Sequence, residues 1–345
     1  MSNNILFITK GDSQTGFGHI SRSLLIADEF KSLGYSSIFL VSESCTFIPV
    51  IEQRGYKAEV VKSFNESINK KELSSFITGN SISVVIIDTI EEDYLTLSPL
   101  KQQLSNDVLL VTITLFLFSL DKRYEDISFF PDFTENTEAE YLSEYGKVKL
   151  YSGKNYLTIR PEFALEYDVK EIDKKDVLIT MGGTDPEGFT LKALNALKDS
   201  GYSITVLLSA SSNTYDKVKE VEDKNANVSV ITFSNSIAEI MYSHKVLLIN
   251  GGLTRYEACA LGVPFIAISI HQLQYDITEK VTSTGAGINL GIGTQLSTSD
   301  IRSAVTALLQ NPDKRKQISS TMKKIIDTTG SKNIVQTILN YNNNA

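Results

Sequence analysis

Short, uninterrupted apolar runs recur along the chain, each separated from the next by enough residues for one helix. ILFI (5–8), SSIFLV (36–41), SVVIID (83–88) and VLLVTIT (108–114) are rich in β-branched residues and do not alternate with polar ones. Strands of that kind must be covered on both faces, which is the condition of a parallel sheet between helices. The segments between them have a helical period. His19–Leu33 puts Ile20, Leu24, Ala27 and Phe30 on one stripe, and Gly34 stands where a C-terminal cap belongs. After a looser zone at about 121–170, which contains Gly153, Pro161 and many acidic residues, the rhythm restarts. DVLITM (176–181), SITVLL (203–208), VSVITF (228–233), KVLLIN (245–250) and FIAISI (265–270) follow in turn.

Two such runs imply two doubly wound α/β domains with right-handed crossovers. A length of 345 residues agrees, at roughly 100–200 residues per domain. The expected division is 1–160 and 161–345. Helices are expected at Pro312–Asp327, started by Asn311 and Pro312, and at Ser331–Tyr341, the last being a candidate to cross back to the first domain. Ligands of open α/β sheets bind beyond the carboxyl ends of the strands, so the crevice between the domains is the expected site.

Charge and cysteine content remove several function classes. The net charge is −8 and no Lys/Arg run is long enough to track a phosphate backbone, so nucleic acid is not the expected partner. Cys45 and Cys259 form no CxxC, and with only His19, His244 and His271 besides, no zinc-type spacing exists. No metal and no resident cofactor are expected, and a reducing cytoplasm is the expected setting. MSNNILFITKGD lacks the basic-then-apolar pattern of a signal peptide. Val108–Leu120, thirteen residues, is too short to cross a bilayer. Within it, LFLF (115–118) is either a buried strand end, an acceptor-pocket lining or a weak peripheral membrane contact.

Three glycine-rich turns each follow a strand and precede a helix: GFGHISR (16–22), MGGTDPEG (181–188) and NGGLTRYEACALGVP (250–264). Such turns bring free N–H groups and the positive end of a helix dipole to a strand edge, which suits phosphate. Each also has a plain structural reading. Asp185 and Pro186 form a cap and first-turn pair, and Thr254 with Glu257 matches a capping box. In the first turn Ser21 replaces the third glycine of a dinucleotide fingerprint, which argues against a nicotinamide enzyme even with Glu43 available as a ribose acid. His19 starts a helix at a strand's carboxyl edge, where the dipole disfavours imidazolium and favours a proton-accepting ring. Arg22, one turn on, either holds an anion or pairs with Asp12 or Asp28. His271 and Gln272 follow another strand and suit sugar hydroxyls or a plain polar loop equally. No carboxylate pair follows a strand as a metal-bridged diphosphate requires; the nearest acidic run, EED (91–93), is not so placed.

These motifs carry a resemblance. GDSQTGFGHISRSLLIA (11–27) resembles the first motif of the nucleotide-sugar hydrolases of the pseudaminic acid pathway, which share the GT-B fold of two Rossmann-like domains facing each other across a cleft. YLTIRPEF (156–163), LITMGGTDPEGFTLKALNAL (178–197) and INGGLTRYEACALGVPFIAISIHQLQ (249–274) are similar to later segments of the same family, in the same order. The third glycine motif is also similar to that of UDP-sugar glycosyltransferases of peptidoglycan and spore-coat polysaccharide synthesis. The resemblance implies that His19 activates water at the anomeric carbon with UDP as leaving group. It implies that Gly182, Gly183, Thr184, Gly251, Gly252 and Thr254 cradle the diphosphate, Glu257 binds ribose, and Phe233 and Ile237 flank the uracil. Gly16, Gly18, Arg22, Asp88, His271 and Gln272 fall on the sugar or acceptor side.

Two departures stand out. TITLFLFSLDKR (112–123) replaces a paired acidic turn, and His271-Gln272 replaces an Asn-Gln pair. Both bear on the sugar and its acceptor. The expected activity is metal-independent hydrolysis of a UDP-linked deoxyamino sugar, with transfer to a glycan or lipid hydroxyl as the alternative. A non-catalytic nucleotide-sugar-binding protein is the third reading.

Overall fold

In the computed structural model, residues 4–344 are described except 13–14, 65–68, 115–121, 168, 183–184, 233 and 235, with backbone alone at 342–344. The chain divides into two units, Met1–Thr158 with Thr329–Ala345, and Ile159–Thr328. In the first, β1 (Asn4–Thr9) leads through α1 (Gly18–Ser32) to β2 (Ser36–Ser42), then α2 (Ile48–Gln53) and β3 (Lys57–Val61). α3 (Lys70–Gly79), β4 (Ile82–Asp88), α4 (Glu91–Leu97), β5 (Leu109–Ile113), β6 (Ile127–Phe130), β7 (Thr137–Ser143) and β8 (Gly146–Ser152) follow. The sheet runs β3-β2-β1-β4-β5-β6-β8-β7, parallel except for the β7–β8 pairing.

The second unit holds β9 (Lys175–Thr180), α5 (Phe189–Leu197), β10 (Ile204–Leu207), α6 (Tyr215–Lys224) and β11 (Val228–Ile231). α7 (Ile237–Tyr242), β12 (His244–Asn250), α8 (Thr254–Leu261), β13 (Phe265–Ser269), α9 (Gln272–Thr282), β14 (Ile288–Ile292), α10 (Thr298–Leu309) and α11 (Pro312–Ile325) complete it. Its parallel order is β11-β10-β9-β12-β13-β14. α12 (Gly330–Asn344) belongs to the first unit, where Ile334, Val335 and Ile338 join the core that lies between the sheet and α1. Gly330 lets it start there: a Cβ would stand 2.0 Å from the Leu157 carbonyl oxygen.

The apolar runs form the central strands because each is buried on both faces. Ile5 and Phe7 face the α1 side and Leu6 and Ile8 face the α3 side, all fully buried. Phe7 stacks on Phe39 of β2 at 5.1 Å between centroids. The C-terminal signals of α1 are as expected, with Gly34 at φ 85° and its N–H donating to the Lys31 carbonyl (3.0 Å). Asn311 caps α11 through the Lys314 N–H (2.9 Å).

The looser zone departs from expectation by carrying three strands. β7 and β8 form a hairpin whose alternating charges, Glu138, Glu140, Lys147 and Lys149, read as surface until pairing is known. Such alternation marks an edge hairpin with a wet face. β3, in an edge position with Lys57 and Glu59, and β14, with Asn289 and Gly291, escape the apolar-run criterion for the same reason.

Among the parallel strands the order reverses between β1 and β4 in the first sheet and between β9 and β12 in the second. There adjacent crossovers leave on opposite faces and the strand ends stay uncovered, so these are the positions where α/β sheets hold ligands. Truncating a buried isoleucine leaves a cavity costing about 2–5 kcal/mol. Ile334→Ala, which removes an α12 anchor, is accordingly expected to lower the urea unfolding free energy by that amount; an unchanged midpoint and slope would show α12 to be dispensable.

Candidate functional site

At the first reversal, the turn after β1 is tied by Asp12. Its Oδ1 accepts the Thr15 N–H (2.7 Å) and its carbonyl accepts the Gly16 N–H (2.8 Å). Gly16 holds φ 71°, a conformation that other residues adopt at a cost. α1 then starts at Gly18 with no side-chain cap, so its first N–H groups keep the dipole's positive end available. His19 lies in that first turn with its side chain 19% exposed.

β4 ends at Asp88, the register partner of Thr9. Its carboxylate is fully buried. Arg22 donates to it twice, from Nε to Oδ2 (2.8 Å) and from Nη2 to Oδ1 (2.5 Å), and Ser23 Oγ donates to Oδ2 (3.3 Å). His19 Nδ1 is 2.7 Å from Oδ1. Burial by itself pushes the Asp88 carboxyl up, but the Arg22 guanidinium and His19 outweigh it and hold the group below the usual carboxylate range.

An ionised carboxylate only accepts, so the Nδ1 contact places a proton on Nδ1. Arg22 Nη2, 3.2 Å from Nδ1, is a second donor sharing the same oxygen. The neutral ring then carries its lone pair on Nε2. A buried aspartate that fixes tautomer and orientation in this way is what a histidine base requires. Arg22 therefore pairs with neither Asp12 nor Asp28. Asp28 instead accepts from Arg54 Nη1 (2.8 Å) and Tyr56 Oη (2.6 Å).

At the second reversal, Asn250 joins the two glycine turns. Its Nδ2 donates to the Met181 carbonyl (2.7 Å) and its Oδ1 accepts the Gly252 N–H (3.0 Å). Gly182 has φ 87°, and a Cβ there would meet Asn250 Nδ2 at 3.0 Å. At Gly251 a Cβ would lie 2.6 Å from Thr278 Oγ1, so only glycine fits without displacement. Buried Arg255 donates from Nη1 to the carbonyls of Gly251 and Gly252, the latter at 2.8 Å. α8 starts at Thr254 without a side-chain cap, so the capping box does not form. Glu257, 16% exposed, accepts from Arg160 Nε (3.0 Å) and Nη2 (2.9 Å), both at Oε1. Burial pushes its carboxyl pKa up, and Arg160 pulls it back. Ile237 begins α7, half-buried.

The plain reading of GGTDP needs correcting. α5 begins at Phe189 after Gly188, not at Pro186. Asp185, buried in a left-handed conformation (φ 40°), still accepts the N–H groups of Phe189 (3.0 Å) and Thr190 (2.8 Å). A carboxylate already answers the α5 N-terminus, and that of α8 is the open one. Gly183, Thr184 and Phe233, like LFLF at 115–118, lie outside the described residues. His271 caps α9 by accepting the Gln274 N–H (3.3 Å), and Gln272 donates to Asp276 Oδ1 (2.7 Å). These two side chains thus have structural work of their own at the end of β13.

Comparisons with known proteins agree with this layout. Residues 177–338 match the glycosyltransferase family 28 C-terminal domain. Uncharacterized protein MJ1062 of Methanocaldococcus jannaschii is 28% identical over 306 residues, and the match spans 81% of this chain but 59% of that protein's length. The UDP-2,4-diacetamido-2,4,6-trideoxy-beta-L-altropyranose hydrolase of Campylobacter jejuni is 26% identical over 265 residues, 76% of this chain and 90% of that one. Among solved structures, MurG of Acinetobacter baumannii aligns with TM-score 0.67 at 12% identity, covering 99% of this chain and 100% of that one. The expected α/β fold of GT-B type, with two Rossmann-like units, is borne out, and so is a distant relationship to the hydrolase.

The Arg22–Asp88 pair yields a stability prediction with a defined sign. Removing one partner of a buried pair costs about 3–5 kcal/mol, whereas replacing both by apolar residues is nearly neutral. Asp88→Asn should therefore destabilise strongly in urea unfolding, and Arg22→Met/Asp88→Leu should recover most of the loss. Asp88's folded pKa is depressed, so its stabilisation is present above the unfolded value of about 3.9 and is lost as pH falls through the folded one. Acid unfolding of the double variant should show a shallower slope below that pH; an identical slope contradicts the assignment.

Proposed function

We propose that the chain hydrolyses a UDP-linked deoxyamino sugar at the anomeric C–O bond, releasing UDP and the free sugar without a resident cofactor. The observation that carries this reading is the His19 ring held by ionised Asp88 with Nε2 as its free base position. In the proposed step, Nε2 takes a proton from water as the water oxygen bonds to the anomeric carbon. The bond to the UDP oxygen breaks, and its electrons leave with the diphosphate.

The uncapped start of α8, beside the turn that Asn250 ties to the Met181 carbonyl, offers its first N–H groups and dipole to a diphosphate. Glu257, with Arg160 confined to Oε1, offers Oε2 to a ribose hydroxyl. UDP as the nucleotide and a deoxyamino sugar as its partner rest on the motif resemblance and on the relationship to the Campylobacter hydrolase. Taking part in surface-glycan or nonulosonic acid synthesis in the cytoplasm belongs to the same proposal.

Transfer to a glycan or lipid hydroxyl is the second reading, favoured by the match of residues 177–338 to a glycosyltransferase domain. The same base would take the acceptor's proton. UDP release from a panel of UDP-sugars, with and without cell-envelope acceptors, separates the two: hydrolysis needs the donor alone, transfer needs both.

In that assay His19→Asn should lower turnover by about 10²–10⁴-fold, the usual worth of a general base, with UDP affinity retained. Wild-type turnover in the variant would remove His19 from the chemistry. Glu257→Gln keeps an Oε1 acceptor for Arg160 but loses the charge of the pair, so some stability loss is expected together with weaker UDP binding; a stability loss with unchanged affinity would give Glu257 a structural role alone.

A further inference from the structure

Arg255, in the first turn of α8, is a buried cation without a buried anion. Its residue is 5% exposed. Nη1 donates to the carbonyls of Gly251 and Gly252, Nη2 donates to the Tyr256 hydroxyl (2.8 Å), and Cζ lies 4.2 Å from the Tyr256 ring centroid. All of these acceptors are neutral. Among the described residues no carboxylate stands within ion-pair distance of the guanidinium, and its buried Nε finds no acceptor. Glu257, two positions on, leaves another side of the helix and is held by Arg160.

Holding carbonyls does not call for a charge. Asn250 ties the Met181 carbonyl with a neutral amide (2.7 Å) at the same reversal point. Taking a guanidinium out of water without a counter-charge is costly, so the cation is explained by an anion that arrives with a ligand. The backbone sets the side on which that anion lies. A trans peptide unit points its C=O and its N–H in opposite directions. Arg255 grips the Gly252 carbonyl, so the Leu253 N–H of the same unit is turned away from the guanidinium. The N–H groups of Arg255 and Tyr256 go back to the carbonyls of Gly252 (3.3 Å) and Leu253 (2.9 Å). Those of Leu253 and Thr254 stand at the uncapped start of α8, where Leu253 is 36% exposed. The buried charge polarises the peptide it grips and strengthens the donor on the far side.

Building on the nucleotide-sugar reading above, we propose that Arg255 makes this turn selective for ligand charge, receiving its counter-charge from the diphosphate across the Gly252–Leu253 peptide without touching a phosphate oxygen. It is a positioning residue with a long-range charge, and it favours the more highly charged of two ligands that share a base.

The test is equilibrium titration of uridine, UMP, UDP and inorganic pyrophosphate, by calorimetry and ligand-detected NMR, into wild type, Arg255→Gln and Arg255→Lys. Wild type should tighten stepwise from uridine to UMP to UDP. Arg255→Gln keeps hydrogen-bond donors and loses the charge. It should bind uridine as wild type does and UDP about tenfold more weakly, the size of a charge interaction across several ångströms at an effective dielectric of about 20. Arg255→Lys keeps the cation and should hold most of the gain from uridine to UDP. Equal losses on uridine and UDP, or a Lys variant as weak as the Gln one, would show a fork that only shapes the turn and would overturn the inference. Unfolding of both variants does the same. Pyrophosphate bound as tightly as UDP, and weakened in Arg255→Gln, supports the charge role while counting against a uridine nucleotide. A wild type that binds neither UDP nor pyrophosphate sinks both.

Discussion

Everything at the first sheet's reversal point hangs on one buried ion pair. Arg22 is placed on the inner face of α1 by helical spacing, and Asp88 ends an otherwise apolar strand. Neither charge is tolerable alone in that setting. Their two hydrogen bonds, at 2.8 and 2.5 Å, lock α1 to β4 and keep the carboxylate ionised. The ionised carboxylate in turn decides the tautomer of His19. A structural bond and a chemical property are thereby the same interaction, which explains why a charge follows the run Val84–Ile87.

The second reversal point is built by a different device. There the backbone is shaped by what glycine alone permits: the φ of Gly182 and the close approach of Gly251 to Thr278. Asn250 and Arg255 hold the turns from behind, by their carbonyls. With carbonyls engaged and α8 uncapped, the turn favours an anion. The helix that looks equivalent, α5, is closed by Asp185. Two similar glycine pairs therefore differ in what they offer a phosphate.

The central strands were legible because continuous apolar runs have one stable setting, and the helices because their stripes and caps are local. β3, β7 and β14 were not, since edge strands keep charged or small residues on their wet faces, and β8, next to the edge, shares that character with its hairpin partner β7. At the site, His19 was legible from its turn. Asp88 was legible as a sugar-side residue but not as the partner of His19: it lies 69 residues away, and only the β1–β4 pairing brings the two together. For Glu257 the Thr-x-x-Glu spacing suggested a cap, but Arg160, 97 residues distant, claims the carboxylate. EED at 91–93 looked unplaced, and Asp93 reaches Lys10 because α4 packs back on the tip of β4. Local chemistry shows in sequence, whereas pairing across strands waits for topology.

Asp88 fixes the proton of His19 on Nδ1 and leaves Nε2 as the base position. Nitrogen-15 NMR of the histidine ring, assigned by comparison with His19→Asn, reads this directly. In the neutral ring Nδ1 should carry the proton and Nε2 should show the signal of an unprotonated nitrogen. A neutral ring protonated on Nε2, with Nδ1 bare, would contradict it.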